Sequence, residues 1–259
     1  MSITDFSMEW FRLDGKTALI TGGNKGLGLA YAAAFAKAGA DVFVTFHNNP
    51  PDNARQLVEA EGRKFGAIRA ELSIAADRKA AIAACVEQLG GLDILVNNAA
   101  TNHFEAFLDF PDEKFEEVLQ VNLNAVYYMA HEAAKVMAKR GGGKIINIGS
   151  ALSYTADRNC PSYVTAKHGV IGITKAFASE LAKYNIQCNA ICPGFFITDV
   201  NAAVSGDTEL YDKITSRIAA GSWGSPTDLM GAAVFLASKA SDYITGADLN
   251  IDGGFATVL

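Results

Sequence analysis

Tyr163 and Lys167 are the two side chains in this sequence best suited to move a proton. They stand four residues apart in an Ala-, Gly- and Val-rich stretch with helical character, so they should share one face of a helix. A free phenol titrates near pH ~10, but an ammonium held nearby favours the phenolate and brings proton loss within reach. The pair can therefore take a proton from a hydroxyl group or return one to a developing alkoxide.

Ser150 is a third candidate because it ends the apolar run GKIINIGS at residues 143–150. A hydroxyl at the end of a strand can hold a substrate oxygen against the phenol of Tyr163. Each of the three residues alone also has a simple structural explanation, as a half-buried aromatic, a solvated charge or a strand-ending cap. The three together, downstream of a glycine-rich turn, favour catalysis.

The glycine-rich turn occupies residues 21–28 (TGGNKGLG), at the end of the apolar run TALIT. Glycines there allow a tight turn, close approach of the backbone to a pyrophosphate, and N–H groups at a helix N-terminus directed at its negative charge. The pattern is weak evidence alone, but its place at the first strand-to-helix junction predicts a dinucleotide site. The residues assigned to that site in this turn are Gly22, Asn24, Lys25, Gly26, Leu27 and Gly28.

The order of apolar runs predicts the elements that must position these residues. Strands alternate with helices along the chain, which predicts an α/β fold, a doubly wound (Rossmann) parallel sheet with helices on both faces. We expect seven strands at 17–21, 41–46, 64–72, 92–99, 143–150, 186–193 and 247–252, and six helices at 27–38, 52–61, 76–89, 112–139, 161–184 and 226–237. This gives a single domain over 1–259, with its ligand site at the carboxyl ends of the strands.

Charge and composition limit the partners that we expect. The 22 basic and 28 acidic residues give a net charge of −6, and the basic residues are scattered, so neither nucleic acid nor a membrane is expected as a partner. No apolar run reaches the ~18 residues of a membrane span, and the N-terminal stretch lacks the pattern of a signal peptide, so a cytoplasmic location is expected. The four cysteines and four histidines show no metal-binding spacing, and no metal is predicted.

In these motifs the chain resembles the short-chain dehydrogenase/reductase family over nearly its whole length. The resemblance implies an oxidoreductase that transfers a hydride between a nicotinamide cofactor and a secondary alcohol or ketone. The catalytic residues would be Asn122, Ser150, Tyr163 and Lys167. The matching signatures are Thr21-Gly22 through Gly26-x-Gly28, Asn97-Asn98-Ala99, Asn122, Ser150, Tyr163-x-x-x-Lys167, Pro193-Gly194 with Thr198, and Asp252-Gly253-Gly254.

The same resemblance implies further roles around the cofactor. Lys167 would hold the nicotinamide ribose, Asn122 would anchor a water that links Lys167 to solvent, and the segment 193–198 would bind the carboxamide. An Asn that only bonds backbone inside a helix is the alternative for Asn122, and Asn124 is a competing candidate. The cofactor residues assigned outside the glycine-rich turn are Phe46, His47, Glu71, Leu72, Asn98, Ala99, Tyr163, Lys167, Pro193, Gly194, Phe196 and Thr198.

The chain departs from the family pattern at two positions. Ala100 stands where the family usually has glycine, so a methyl group should narrow the site where the backbone passes the cofactor. Glu71 replaces the usual Asp after the third strand, and its longer side chain is still expected near the adenine.

The end of the second predicted strand distinguishes between the two nicotinamide cofactors. An acidic residue at this position binds the ribose 2′-hydroxyl and repels a 2′-phosphate, whereas a nearby cation accommodates that phosphate. The strand end Thr45-Phe46-His47-Asn48 has no carboxylate, and Lys25 lies in the turn that faces the same ribose. Imidazole gains charge on acidification, so the help from His47 should grow as the pH falls. The sequence therefore predicts NADP, with NAD as the alternative.

Three segments, 11–16, 217–224 and 234–238, resemble the branch of the family that contains gluconate 5-dehydrogenase and related sugar-acid and polyol dehydrogenases. This implies a polyol, a sugar or a sugar acid such as gluconate or 5-ketogluconate as the small-molecule substrate. A substrate loop would cover it at about 195–222. Reduction of a 3-oxoacyl thioester or another carbonyl is the alternative, and a non-catalytic NAD(P)-sensing protein is a remote one. Candidate polar contacts with the substrate are Asn102, His103, Arg158 and Arg217.

The family pairs its long fourth and fifth crossover helices between subunits, which implies a homotetramer, or else a homodimer. The corresponding helices carry more apolar residues than one face of a sheet should need. These residues are Val126, Tyr127, Met129, Val136, Val170, Ile171, Ile173 and Phe177.

Overall fold

The structure of the protein is a computed structural model that describes residues 5–198 and 208–257. Seven strands form one parallel sheet in the order β3-β2-β1-β4-β5-β6-β7, which confirms the predicted fold class. The strands are β1 (Thr17–Ile20), β2 (Asp41–Phe46), β3 (Phe65–Arg69), β4 (Ile94–Asn97), β5 (Gly143–Ile148), β6 (Ile186–Pro193) and β7 (Asp248–Ile251).

The helices differ from the prediction at two places. The expected helix at 112–139 is divided by a π-helical turn, Gln120–Asn124, and a helix at 208–215 was not predicted. In the described part of the chain, no helix is long and apolar enough to cross a membrane. The α-helices of the described ranges are α1 (Gly26–Ala38), α2 (Asp52–Ala60), α3 (Ala75–Leu89), α4 (Asp112–Leu119), α5 (Ala125–Arg140), α6 (Pro161–Leu181), α7 (Thr208–Thr215) and α8 (Met230–Ala237).

Both faces of the sheet are buried, and alternate residues of a strand enter different apolar clusters. Ala18 and Ile20 of β1 pack in the cluster that contains α1 and α8 residues. Leu19 packs in the second cluster, with residues of α3 and α5. Because helices cover both faces of the sheet, consecutive residues of a strand such as β1 are all buried, and such a strand is therefore apolar without alternation.

The strand order reverses at β1, which pairs with β2 on one side and with β4 on the other. The connections after β1 and β4 therefore leave towards opposite faces of the sheet. In open parallel sheets, this reversal leaves a crevice at the carboxyl ends of the strands, where ligands bind. The glycine-rich turn after β1 lies at this position.

A buried chain of polar side chains holds α6 against the middle of the sheet. The Asn97 side-chain amide donates to Asn147 Oδ1 at 2.9 Å, and the Asn147 amide donates to Thr174 Oγ1 at 3.0 Å. The Thr174 hydroxyl in turn donates to the Val170 carbonyl oxygen at 2.8 Å. Because buried polar groups need such partners, this chain fixes the position of α6 relative to β4 and β5.

We predict that Thr174→Val lowers the free energy of unfolding by about 1–3 kcal/mol, because the variant keeps the shape but leaves the buried Asn147 amide without its oxygen partner. Urea denaturation at a fixed protein concentration measures the effect. Thr165→Val, on the exposed side of the same helix, is the control and should change stability by less than about 0.5 kcal/mol. Equal stability of the two variants would contradict the structural role of the chain.

Candidate active site

A cavity of about 1050 Å³ opens at the carboxyl ends of the strands. Ser150, Tyr163 and Lys167 lie on its wall, and so does every residue that the sequence analysis assigned to cofactor binding. Outside the pair Tyr163 and Lys167, these are Gly22, Asn24, Lys25, Gly26, Leu27, Gly28, Phe46, His47, Glu71, Leu72, Asn98, Ala99, Pro193, Gly194, Phe196 and Thr198.

The glycine-rich turn between β1 and α1 is held against the loop that follows β4. Gly22 has a φ of +63°, and a Cβ on Gly28 would lie 2.3 Å from the Gly22 carbonyl oxygen. The Asn98 side-chain amide donates to the carbonyl oxygens of Thr21 at 2.9 Å and Gly22 at 3.3 Å. Asn98 thus braces the turn, a role that the motif in the sequence did not specify.

The N-terminus of α1 faces the cavity without a side-chain cap. Lys25 is its N-cap residue, and among the described residues no side chain bonds the free N–H groups there; no acidic residue occupies the first turn. Such a terminus attracts an anion through its N–H groups and the helix dipole. Because Gly28 packs too closely against the Gly22 carbonyl to carry a Cβ, the turn stays tight, and its open helix terminus fits the pyrophosphate of a dinucleotide.

An imidazole and a carboxylate meet at the corner of the cavity where β2 and β3 end. The Nε2 atom of His47 lies 3.0 Å from one carboxylate oxygen of Glu71. The other Glu71 oxygen accepts hydrogen bonds from the N–H and hydroxyl groups of Ser73, at 3.0 and 2.9 Å. The end of β2 itself has no carboxylate, but the fold brings one to it from the neighbouring strand. The corner therefore holds the Glu71 carboxylate beside His47. Lys25 lies on another part of the same cavity wall.

Ser150, Tyr163 and Lys167 meet between the end of β5 and the first turns of α6. The Lys167 Nζ atom lies 5.4 Å from the centroid of the Tyr163 ring and donates to the Ile148 carbonyl oxygen at 2.7 Å. The hydroxyl oxygen of Ser150 accepts from the Leu152 N–H at 3.1 Å. The geometry places a hydroxyl, a phenol and a buried amine around one point of the cavity.

Burial sets the proton affinities of Tyr163 and Lys167. It raises the pKa of Tyr163 to about 12, although a hydrogen bond with Ser150 works in the opposite direction. It lowers the pKa of Lys167 to about 8, because an ammonium that loses hydration is unfavourable. In the protein alone, the lost hydration of the phenolate dominates the pKa of Tyr163, and the expectation that Lys167 brings proton loss within reach stays a prediction.

Asn122 lies in the π-helical turn and is fully buried; it is not among the described residues of the cavity wall, although its neighbour Val121 is. Its side-chain amide donates to the Thr101 carbonyl oxygen at 2.8 Å, and its Oδ1 accepts from the Thr101 N–H at 2.8 Å. Asn124 is exposed and donates to Gln120 Oε1 at 2.7 Å. The Asn122 side chain thus bonds backbone and fastens the loop after β4 to the π turn, while its part in a proton relay stays a prediction.

The segment after β6 closes another side of the cavity. A Cβ on Gly194 would lie 2.7 Å from the Cα atom of Asp252, so glycine permits the close approach of this segment to the end of β7. The substrate loop expected at about 195–222 can be followed only in part, since residues 199–207 lie outside the described residues.

Comparison with known proteins gives consistent matches over nearly the whole chain. Residues 22–256 match the family model described as enoyl-(acyl carrier protein) reductase. The chain is 45% identical over 245 residues to 2-dehydro-3-deoxy-D-gluconate 5-dehydrogenase of Bacillus subtilis (strain 168), a match that covers 95% of this chain and 96% of that protein. It is 42% identical over 254 residues to the uncharacterized oxidoreductase YgcW of Escherichia coli (strain K12), covering 98% and 97%.

A solved structure matches the chain over the same extent. Gluconate 5-dehydrogenase from Burkholderia cenocepacia J2315, in complex with NADP and tartrate, superposes with a TM-score of 0.91 at 37% identity, covering 97% of this chain and 99% of that one. The chain belongs to the short-chain dehydrogenase/reductase family. The resemblance inferred from its motifs is thereby confirmed.

The substrate side of this short-chain dehydrogenase/reductase differs from the sequence-based expectation. Asn102, His103, Arg158 and Arg217 are not among the described residues that line the cavity. The Arg217 guanidinium instead lies over the Phe255 ring, 4.4 Å from its centroid. Within the described ranges, no three His, Cys, Asp or Glu side chains group as metal ligands.

Sequence reasoning missed other residues of the cavity wall. Several stand directly after strands, so the rule that ligands bind at the carboxyl ends of strands could have found them; those on α4 had no such signal. The missed residues are Thr45, Asn48, Asn49, Ala70, Ser73, Thr101, Glu113, Glu116, Glu117, Gln120, Val121, Ile148 and Gly149.

Tyr163→Phe should reduce kcat about 10²–10⁴-fold, because it removes only the transferable proton. The dissociation constant of NADPH, measured by fluorescence titration, should change by no more than a few-fold. Tyr184→Phe, at an exposed tyrosine in the 3₁₀ turn that follows α6, is the control and should keep wild-type kcat. Ordinary activity of Tyr163→Phe on the enzyme's preferred substrate would refute the assigned role.

Proposed function

We propose that this protein is an NADP-dependent dehydrogenase that interconverts a secondary alcohol and a ketone on a sugar acid. The observation that carries the proposal is the meeting of Ser150, Tyr163 and Lys167 at a cavity that fits a dinucleotide. The substrate class is supported by the Bacillus subtilis relative, named a 2-dehydro-3-deoxy-D-gluconate 5-dehydrogenase. The NADP and tartrate of the Burkholderia cenocepacia structure support the same class and cofactor.

A bound nicotinamide supplies the hydride acceptor or donor. Ser150 orients the substrate oxygen, since the Leu152 N–H already occupies one lone pair of its hydroxyl and leaves its proton to be donated. In the reducing direction Tyr163 gives its proton to the developing alkoxide, and a pKa of about 12 keeps that proton in place at neutral pH. In the oxidising direction the phenol must first lose it, and the hydrogen bond with Ser150 lowers the pKa of Tyr163 and so favours that loss. Oxidation should therefore gain more from a rise in pH than reduction does.

Lys25 is the residue to which we assign most of the preference for NADP. It stands at the open N-terminus of α1 on the cavity wall, where a 2′-phosphate would be close to its ammonium. His47 contributes less than the sequence suggested, because the carboxylate of Glu71 lies 3.0 Å from its ring. NAD remains the alternative cofactor if this carboxylate dominates the corner.

We further propose assembly as a homotetramer, or else a homodimer, through α5 and α6. Of the eight apolar residues cited for this from the sequence, Val126, Met129, Val170 and Ile171 are buried within the protomer and cannot form an interface. Val136, Ile173 and Phe177 are partly buried. Tyr127, 42% exposed, contacts the Phe177 ring and remains available on the outer face. Light scattering at micromolar concentration measures the mass of the assembly, and a monomer would refute the proposed oligomer.

The cytoplasmic location expected from the sequence stays a prediction.

The substrate class is tested by a panel of sugar acids, polyols, keto acids and 3-oxoacyl thioesters, each with NADP(H) and NAD(H). The proposal predicts the highest kcat/KM on a sugar acid. A higher value on a 3-oxoacyl thioester would favour the alternative reaction, reduction of the 3-oxo group of such a thioester. Tight NADPH binding without turnover of any compound would favour a sensor.

We predict that Lys25→Ala raises KM for NADP about tenfold or more and leaves KM for NAD nearly unchanged, since a charge-assisted contact to phosphate contributes about 1.5–3 kcal/mol. Phe46→Asp should shift preference towards NAD by placing a carboxylate at the ribose. The control is Lys37→Ala, at the exposed far end of α1, which should alter neither KM. Equal weakening of both cofactors by Lys25→Ala, or a higher wild-type kcat/KM with NAD, would show that the corner is misassigned.

A further inference from the structure

Ser153 is a buried serine that contacts two of the three residues of the catalytic group without lining the cavity. It closes the short 3₁₀ turn Ala151–Ser153, directly after Ser150, and is 4% exposed. Its hydroxyl oxygen accepts a hydrogen bond from the Ser150 N–H at 3.1 Å. The same hydroxyl donates to the Lys167 carbonyl oxygen at 2.8 Å. One side chain therefore ties the backbones of Ser150 and Lys167 together.

The contact to Ser150 holds the backbone of the turn from which the Ser150 hydroxyl projects. With its N–H bonded to Ser153, Ser150 caps the 3₁₀ turn, and its own Oγ accepts from the Leu152 N–H at 3.1 Å. This reciprocal arrangement is a capping box, in which each side chain satisfies a backbone N–H group of the other residue's turn. The bond from the Leu152 N–H constrains the Ser150 side chain, and its single proton is left to be donated either to Tyr163 or to a substrate oxygen.

The contact to Lys167 fixes the main chain of α6 at that residue. The Lys167 side chain already reaches the Ile148 carbonyl oxygen at 2.7 Å, at the end of β5. The Ser153 hydroxyl holds the main chain of the same residue to the loop that leaves β5. Lys167 is thus attached to one loop at both ends, and α6 cannot shift along the sheet without breaking one contact.

The space around Ser153 favours a small side chain with a hydroxyl. A Cβ on the neighbouring Gly149 would lie 3.1 Å from Ser153 Oγ and 2.6 Å from Cys192 Sγ. Alanine fits this volume but cannot make either hydrogen bond. Residue 153 is therefore closely packed, and its one hydroxyl oxygen accepts from the Ser150 N–H and donates to the Lys167 carbonyl oxygen.

We propose that Ser153 is a positioning residue that holds Ser150 and Lys167 in the relative placement that proton transfer requires. The proposal rests on the catalytic roles assigned to those residues in the proposed function. Small misplacements are costly in such sites, since a shift of about 1 Å can reduce a rate by about 10². Ser153 should therefore affect turnover strongly and cofactor binding little.

The test compares Ser153→Ala with the matched control Thr155→Ala, whose hydroxyl donates to the Ala151 carbonyl oxygen at 3.1 Å in the same segment but touches neither Ser150 nor Lys167. With the sugar acid that the wild type oxidises fastest, Ser153→Ala should lower kcat about 10- to 100-fold. The NADPH dissociation constant should stay within twofold, and Thr155→Ala should keep wild-type kcat.

The pH profile separates positioning from a general loss of structure. If Ser150 no longer points its proton at Tyr163, the phenolate loses a hydrogen bond, and the alkaline rise of kcat for oxidation should move to higher pH by about half a unit or more. Should Ser153→Ala be recovered only unfolded, Ser153→Cys fills the same place with a weak hydrogen-bonding group and is judged by the same two readouts.

A kcat within twofold of wild type, or a reduced kcat with an unmoved pH profile, would overturn the proposal. Tyr163→Phe in the same assay keeps this result distinct from a failure of the proposed function. An inactive Tyr163→Phe beside a fully active Ser153→Ala removes only the role of Ser153. An active Tyr163→Phe removes the catalytic assignment itself, and the role of Ser153 with it.

Discussion

The hydrogen bond from the Lys167 ammonium to the Ile148 carbonyl oxygen is the contact on which the rest of the site depends. It joins α6 to the end of β5 at a point where Lys167 is only 3% exposed. A cation there loses most of its hydration, and the pKa of Lys167 therefore falls to about 8. The Tyr163 ring lies beside this amine, with its centroid 5.4 Å from the Lys167 Nζ atom.

Two sets of buried hydrogen bonds keep that cation in its place. The Asn147 amide and the Thr174 hydroxyl hold the middle of α6 to β5, and the Ser153 hydroxyl holds the helix at Lys167 itself. Neither Thr174 nor Ser153 lines the cavity. The chemistry of the site therefore depends on residues that no substrate or cofactor needs to touch.

Features set by local sequence could be predicted, and features set by contacts between distant segments could not. The sheet follows from apolar runs buried on both faces, and the spacing of Tyr163 and Lys167 from one helical turn. The contact between His47 and Glu71 requires the register in which β2 pairs with β3, which no local pattern specifies. No Gly or Pro marks the π turn within 112–139, so the sequence predicts one helix there. Ser153 binds a carbonyl fourteen residues away, and its sequence neighbours give no sign of it.

The central claim, that Lys167 is a buried amine held at the cost of stability, is tested most directly by the pH dependence of unfolding. Below pH 8 the lysine is charged in both states, and its burial destabilises the fold; between about 8 and 10.5 the unfolded chain keeps a proton that the folded chain has released, so stability rises with pH. Lys167→Met lacks this rise. The free energy of unfolding of the wild type minus that of Lys167→Met should increase by up to about 3 kcal/mol across this window, while the difference for the exposed control Lys183→Met stays flat. A flat difference for Lys167→Met as well would contradict the account.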